Sequence, residues 1–145
     1  MIVRLCIALA LVLSFSSALW SGDAKDDDVM QGTWLASAAE LGGNKFPDDV
    51  RKSIKLMVKD GKYTVTVGKR PDQGTIKLDA SAKPKAMDIT GTEGPNKDKT
   101  ILAIYELEGD TLRVCYDLGG KNRPREFKSG AGTQEFLVTY KRQKR

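Results

Sequence analysis

At 145 residues the chain is sized for one domain and one core, and its 40% hydrophobic and 30% charged content is ordinary for a soluble fold. The formal net charge of +5 is mildly basic. There is no histidine, which removes the usual general base near neutral pH, the commonest metal ligand and most nucleophile triads.

The opening stretch MIVRLCIALALVLSFSSALW places Arg4 before an uncharged apolar run from Leu5 to Leu13, followed by small residues. That is the order of a secretory signal peptide, and cleavage after Ala18 or after Ala24 fits the small-residue rule. A retained anchor competes with this reading, but Leu5 to Trp20 is 16 residues, short of the ~20 that a spanning helix needs. Removal is therefore expected, with an extracytoplasmic (periplasmic or secreted) destination and no membrane span after leader removal. Cys6 leaves with the leader and Cys115 stays alone, so no intramolecular disulfide is expected. A chain of this length removes roughly two-thirds of its unfolded surface from water and can stand on its core without one.

The expected organisation is a signal peptide with its cleavage region over 1–22, a polar linker over 23–28, one β-domain over 29–142 and a basic tail over 143–145. Asp26 to Asp28 read as a solvated run, because consecutive aspartates lack the spaced oxygens and glycine of a calcium loop. GTWLASAAEL, from Gly32, is the first strand. In FPDDVRKS, Pro47 at a first helical position with Asp48 and Asp49 beside it suits one short helical turn.

SIKLMVKDGKYTVTVG is the clearest hairpin, since Asp60-Gly61 suits a two-residue turn whose central residues take positive φ. That turn sets Val58 opposite Tyr63, Leu56 opposite Val65 and Ile54 opposite Val67, with Lys55–Thr66 and Met57–Thr64 on the other face. The alternation is that of an antiparallel pair covering a core on one side. GTIKLDA, KAMDITG, TILAIYELEGDTLRVCYDL and QEFLVTYKR repeat the pattern, for about eight strands joined by short Gly, Asp, Pro or Asn turns.

Placing Gly109-Asp110 in a second two-residue turn pairs Leu107 with Leu112, Tyr105 with Val114 and Ala103 with Tyr116 on the core face. Outside, Glu106 meets Arg113 as a cross-strand ion pair, and Ile104 meets Cys115. An all-β, antiparallel, up-and-down barrel with no exposed sheet edge is the expected fold, with a β-sandwich as the alternative.

QGTW, with Gly32, Thr33 and Trp34 after Gln31, resembles the Gly-x-Trp opening of lipocalins and their calycin relatives, in which a basic residue of the last strand covers the Trp ring. Parity on the final strand offers Arg142 for that cation–π contact with Trp34. QGTW, GTIKLD, KPKAMDIT, GPNKDKTILAIYELEGDTLRVC and RPREF, in that order, also resemble a small uncharacterised domain family found mainly in planctomycete bacteria. The resemblance implies a lipocalin-like barrel that is exported or appended to other domains, with no established activity attached.

No enzyme, metal or cofactor is expected. No two carboxylates are forced into one cleft, Asp88 and Glu106 included, and no Cys or His cluster exists. Cys115 reads as a small buried hydrophobe, although Arg113 on the same face could lower a thiol pKa. The glycine pairs at 42 and 43, 91 and 94, and 119 and 120 lack the setting of a phosphate loop and read as turns. KRQKR reads as a solvated tail, so nucleic acid is not an expected partner.

Two functions remain open. One is a monomeric exported barrel holding a small apolar or anionic molecule in an interior built from Trp34, Tyr63, Val65, Tyr105, Val114, Tyr116, Phe136 and Tyr140, with Arg123 or Arg125 near the mouth. In the other the interior is filled by its own side chains, and loops and basic surface contact a protein or envelope polymer. The stiff loop GGKNRPREF, with Arg123, Arg125 and Glu126, is the part that structure alone does not demand.

Overall fold

The computed structural model describes residues 25–144. Positions 1–24 and 145 lie outside the described residues, and with them the expected signal peptide, both expected cleavage positions and Arg145 of the tail. A short helix α1 (Asp26–Val29) leads into β1 (Gly32–Leu41), and a two-residue stub β2 (Asn44–Lys45) folds back on the end of β1 before α2 (Asp48–Lys52). The remaining strands are β3 (Lys55–Lys59), β4 (Lys62–Val67), β5 (Arg70–Asp79), β6 (Ala86–Glu93), β7 (Thr100–Glu108), β8 (Thr111–Asp117) and β9 (Glu135–Arg142).

From β3 to β9 each strand pairs antiparallel with the next, β1 pairs with β3, and β9 pairs back onto β1. Eight strands thus close into an up-and-down barrel, which leaves no long unpaired edge, and one continuous closed sheet replaces the sandwich alternative.

The two hairpins with legible turns have the expected register. Asp60 and Gly61 both take positive φ, and Val58–Tyr63, Leu56–Val65, Met57–Thr64 and Lys55–Thr66 pair across them. Gly109 alone takes positive φ in its turn, and Leu107–Leu112, Tyr105–Val114, Ala103–Tyr116, Glu106–Arg113 and Ile104–Cys115 all pair. Some boundaries differ. Ile54 does not pair with Val67, because β3 begins at Lys55, Ile54 N–H donates to the Arg51 carbonyl, and Val67 turns to pair with Arg70. Pro47 caps α2 from outside its first turn rather than occupying it. β5 begins four residues before GTIKLDA, so Asp72 falls on its inner face.

Strand alternation sends one set of side chains inward. Trp34, Leu56, Val58, Tyr63, Met87, Ile89, Ala103, Tyr105, Leu112, Val114, Val138 and Tyr140 form one buried cluster there. Fully burying a side chain of this size is worth about 1.5–3 kcal/mol, so this cluster holds the barrel together. Close packing also fixes Gly74: a Cβ there would lie 2.0 Å from the Thr90 carbonyl oxygen and 2.8 Å from the Tyr63 ring.

The register gives the barrel two distinct ends. Trp34 pairs with Arg142 at one, beside α1, the two legible turns and the 80–85 loop; Leu41 pairs with Phe136 at the other, where the longer connections lie.

Candidate binding site

At the α1 end the polar groups are mutually satisfied. The Arg142 guanidinium lies 4.2 Å from the Trp34 ring centre. It also donates to the carbonyls of Gln31 (2.7 Å) and Val29 (2.6 Å) and to the Asp110 carboxylate (3.1 Å). Trp34 Nε1–H donates to the Met30 carbonyl at 2.8 Å, which turns the N-terminal segment across the barrel and buries Met30. Of the aspartate run, Asp27 and Asp28 are exposed, but Asp26 turns inward and departs from the solvated linker reading. It accepts from Tyr105 Oη at 2.7 Å and from Lys85 Nζ at 2.8 Å. Partial burial raises the Asp26 pKa, but the Lys85 and Tyr105 hydrogen bonds and the Lys85 charge outweigh it and hold the carboxyl below its ordinary value. Burial, then the Asp26 carboxylate, pushes the Tyr105 phenol well above its own.

The other end is built differently. Phe46, just past β2, stacks on Phe136 at 5.3 Å between ring centres, and Phe136 stacks on Tyr116 at 5.6 Å. Phe46 and Phe136 are only partly buried, whereas Tyr116 is 9% exposed and its hydroxyl lies 3.0 Å from that of Tyr140 deep in the barrel. The rings form a file from the surface to an interior hydroxyl pair. Two phenols carry two protons and share one hydrogen bond here, so one O–H has no acceptor among the described residues. Burial pushes Tyr140 up to about 12 and Tyr116 well above its ordinary value, so both stay neutral donors at physiological pH.

At the same end, on β5, sits Asp72, the one buried charged side chain among the described residues. It accepts from Tyr63 Oη (3.2 Å) and from Asn96 Nδ2 (2.8 Å), which ties the 94–99 loop to β5. Burial and the adjacent carboxylate push the Tyr63 phenol up. Sequence reasoning missed Asp72, Asn96, Asp26 and Phe46. Period-two parity carried back from Gly74 would have put Asp72 inside; the other three depend on contacts between distant segments.

Tyr105 and Tyr116 both face inward but serve opposite ends. Arg123, Arg125 and Glu126 are not at the mouth: their loop, 118–134, lies along the outer wall. The Asp117 carboxylate starts it by accepting three backbone N–H groups, from Gly119, Lys121 and Asn122, at 2.7 to 3.0 Å. Arg123 then donates to the carbonyls of Met87 (3.1 Å) and Ala103 (2.8 Å) and pairs with Asp88, so it fastens the loop to β6 and β7. Pro124 is buried, as are Ala86, Ile104 and Cys115 on the outer face of the sheet, outside the barrel core. Cys115 Sγ donates to the Lys128 carbonyl, and burial pushes its thiol up to about 11 despite Arg113.

Arg125 is exposed, Glu126 pairs with Lys128 at 3.1 Å, and Arg113 pairs with Glu106 at 2.6 Å while covering the Phe127 ring at 4.3 Å. Asp88 and Glu106 thus belong to separate ion pairs.

These features define an antiparallel eight-stranded barrel of lipocalin-like architecture, tied shut at one end and lined with stacked aromatics at the other. No family model matches the chain. Secretory-abundant heat soluble protein 53582 from a tardigrade of the genus Hypsibius is 29% identical over 147 aligned positions, covering 80% of this chain and 89% of the relative. Among the described residues no helix is long and apolar enough to cross a membrane.

Proposed function

We propose that the protein is an exported, non-catalytic barrel that takes up a small, largely apolar molecule through the end opposite α1. The observation that carries this reading is the file Phe46–Phe136–Tyr116, which leads from partly exposed rings to a buried hydroxyl pair with one proton unspent. Binding sites for small molecules combine such an apolar lining with a few convergent polar groups. The occupant that fits is a neutral, ring-bearing or aliphatic body with one hydrogen-bond acceptor. The interior charge is the Asp72 carboxylate, which would repel an anionic head group.

Export rests on the leader pattern and on the relative, whose name describes it as secretory. That name also describes it as heat soluble, and closed edges with a charged outer surface suit the same behaviour here. The test is titration with the neutral dye Nile red. Dye emission should rise on binding and the rise should fall several-fold in Phe136→Ala; a protein that leaves the dye dark, or an F136A variant that binds it as well as the parent, refutes the interior site.

A further inference from the structure

The outer wall carries a second feature that the interior reading does not use. Between the 80–85 loop and residues 123–125 lies a cleft of about 400 Å³, within the size range of small-molecule sites. Its floor is apolar, made by Ala86, Ile104, Pro84 and Pro124. Its rim holds Lys77, Lys83, Arg123 and Arg125 against Asp79 and Asp88, a surplus of two positive charges in a chain whose whole net charge is +5.

The pairing within the cleft decides which charges are available. Arg123 and Asp88 neutralise each other, and both Arg123 Nη atoms are occupied by that pair and two backbone carbonyls. Asp79 accepts from the Ser81 N–H and hydroxyl at the cleft edge. Lys77, Lys83 and Arg125 are exposed and make no ion pair among the described residues. The opposite flank of the same loop shows that this is not a general property of the segment: there Arg123, Arg125 and Lys128 face Asp117, Glu126 and Glu135, and the charges cancel.

We propose that this outer-wall cleft is a binding site for a small molecule joining an apolar body to a phosphate or carboxylate, the body on the Pro84–Ile104–Pro124 floor and the anion held by Lys83, Arg125 and Lys77. Arg123 and Pro124 are positioning residues: they fix the loop so that Arg125 stands at the rim. The site is independent of the barrel interior and stands whether or not that interior binds anything.

The test uses ¹⁵N-labelled protein titrated with phenyl phosphate, with benzoate, phenol, inorganic phosphate and the peptide acetyl-Asp-Asp-Asp-amide run alongside. Phenyl phosphate or benzoate, or both, should shift the amides of Lys83, Arg125 and Ile104, and the arm that binds more tightly names the anion. Phenol and inorganic phosphate, each lacking half of the recognition, should bind at least about tenfold more weakly, and added salt should weaken the aromatic anions. The K83A/R125A double variant removes two exposed side chains and should keep the parent spectrum and the parent's response to Nile red while losing about tenfold in affinity for the anion. Shifts confined to Phe46 and Phe136, an unchanged affinity in the double variant, no binding by either aromatic anion, or tighter binding by the acidic peptide would each overturn the proposal.

Discussion

At the α1 end of the barrel Arg142, Trp34, Asp26, Lys85 and Tyr105 tie four chain segments together, and each buried donor there has its acceptor. At the opposite end, Phe46 and Phe136 stay partly exposed and the Tyr116–Tyr140 pair keeps a proton in reserve. The two ends share the same strands and the same core, so the contrast arises from what crosses each opening. One is crossed by a segment that brings its own carbonyls and carboxylate. The other is fringed by longer connections that fasten to the wall, through Arg123 and Asn96, and leave the Phe46 and Phe136 rings partly exposed. A fully satisfied network rigidifies, whereas an unfilled donor in an apolar setting retains capacity for a guest.

The contrast can be broken most severely at Trp34. Trp34→Ala removes a side chain at 0% exposure together with the surface on which Arg142 rests, and should cost about 3–5 kcal/mol by urea denaturation. A loss below about 1 kcal/mol would mean that the α1 end does not organise the barrel.

Tyr105→Phe probes the same end more gently. Loss of a hydrogen bond to a carboxylate should cost about 1–3 kcal/mol and speed amide exchange at Met30 to Trp34, while amides near Phe136 and Tyr116 keep their parent rates. The pH dependence has a definite sign. Asp26 sits below its ordinary value of 3.8 in the folded protein, so its contribution is fully present above that value and is lost as pH falls through the lower folded pKa. Below about pH 4, therefore, the protection of the Met30 amide, the free-chain exchange rate over its own at the same pH, should fall in the parent. Asp26→Asn, which already lacks the charge, should show no such step.

At the loop end Phe136→Ala should cost about 1–2 kcal/mol, less than a fully buried aromatic, because the ring is partly exposed. Its larger consequence should be for Nile red affinity, and a variant that lost stability but no affinity would make the aromatic file a packing feature only. The smallest effect belongs to the side wall between the ends. Glu106 and Arg113 are 48% and 40% exposed, so Glu106→Gln should change stability by about 0.2–1 kcal/mol, with the change shrinking in high salt.

The residues that could be placed from sequence were those whose position follows from neighbours. Asp60-Gly61 and Gly109-Asp110 fix their own turns, and alternation then places the side chains of two hairpins, except at the Ile54–Val67 end. Arg142 could be matched to Trp34 because the Gly-x-Trp resemblance implies a basic residue of the last strand over that ring and strand parity selects Arg142. The path of residues 118–134 could not be read in this way. Nothing periodic in KNRPREF says that Arg123 will reach two carbonyls on β6 and β7, so sequence alone suggests a place near the mouth, whereas the side chain fastens the outer wall. The same holds for Asp26, whose partners Lys85 and Tyr105 lie far along the chain. Charged residues in loops read as solvated until the fold supplies a partner.

The seam that closes the barrel joins the first strand to the last: Trp34 lies opposite Arg142 and Leu41 opposite Phe136. On any route out of a ribosome or across a membrane, β1 therefore waits with one side unsatisfied until the final strand arrives. No smaller piece of the chain is a finished object, because every earlier stop leaves an open edge ready to pair with another molecule. A nascent chain of this kind needs an attendant, a fast exit or a sequence that tolerates delay. Strand β9, the least conspicuous of the strands, decides when the barrel closes.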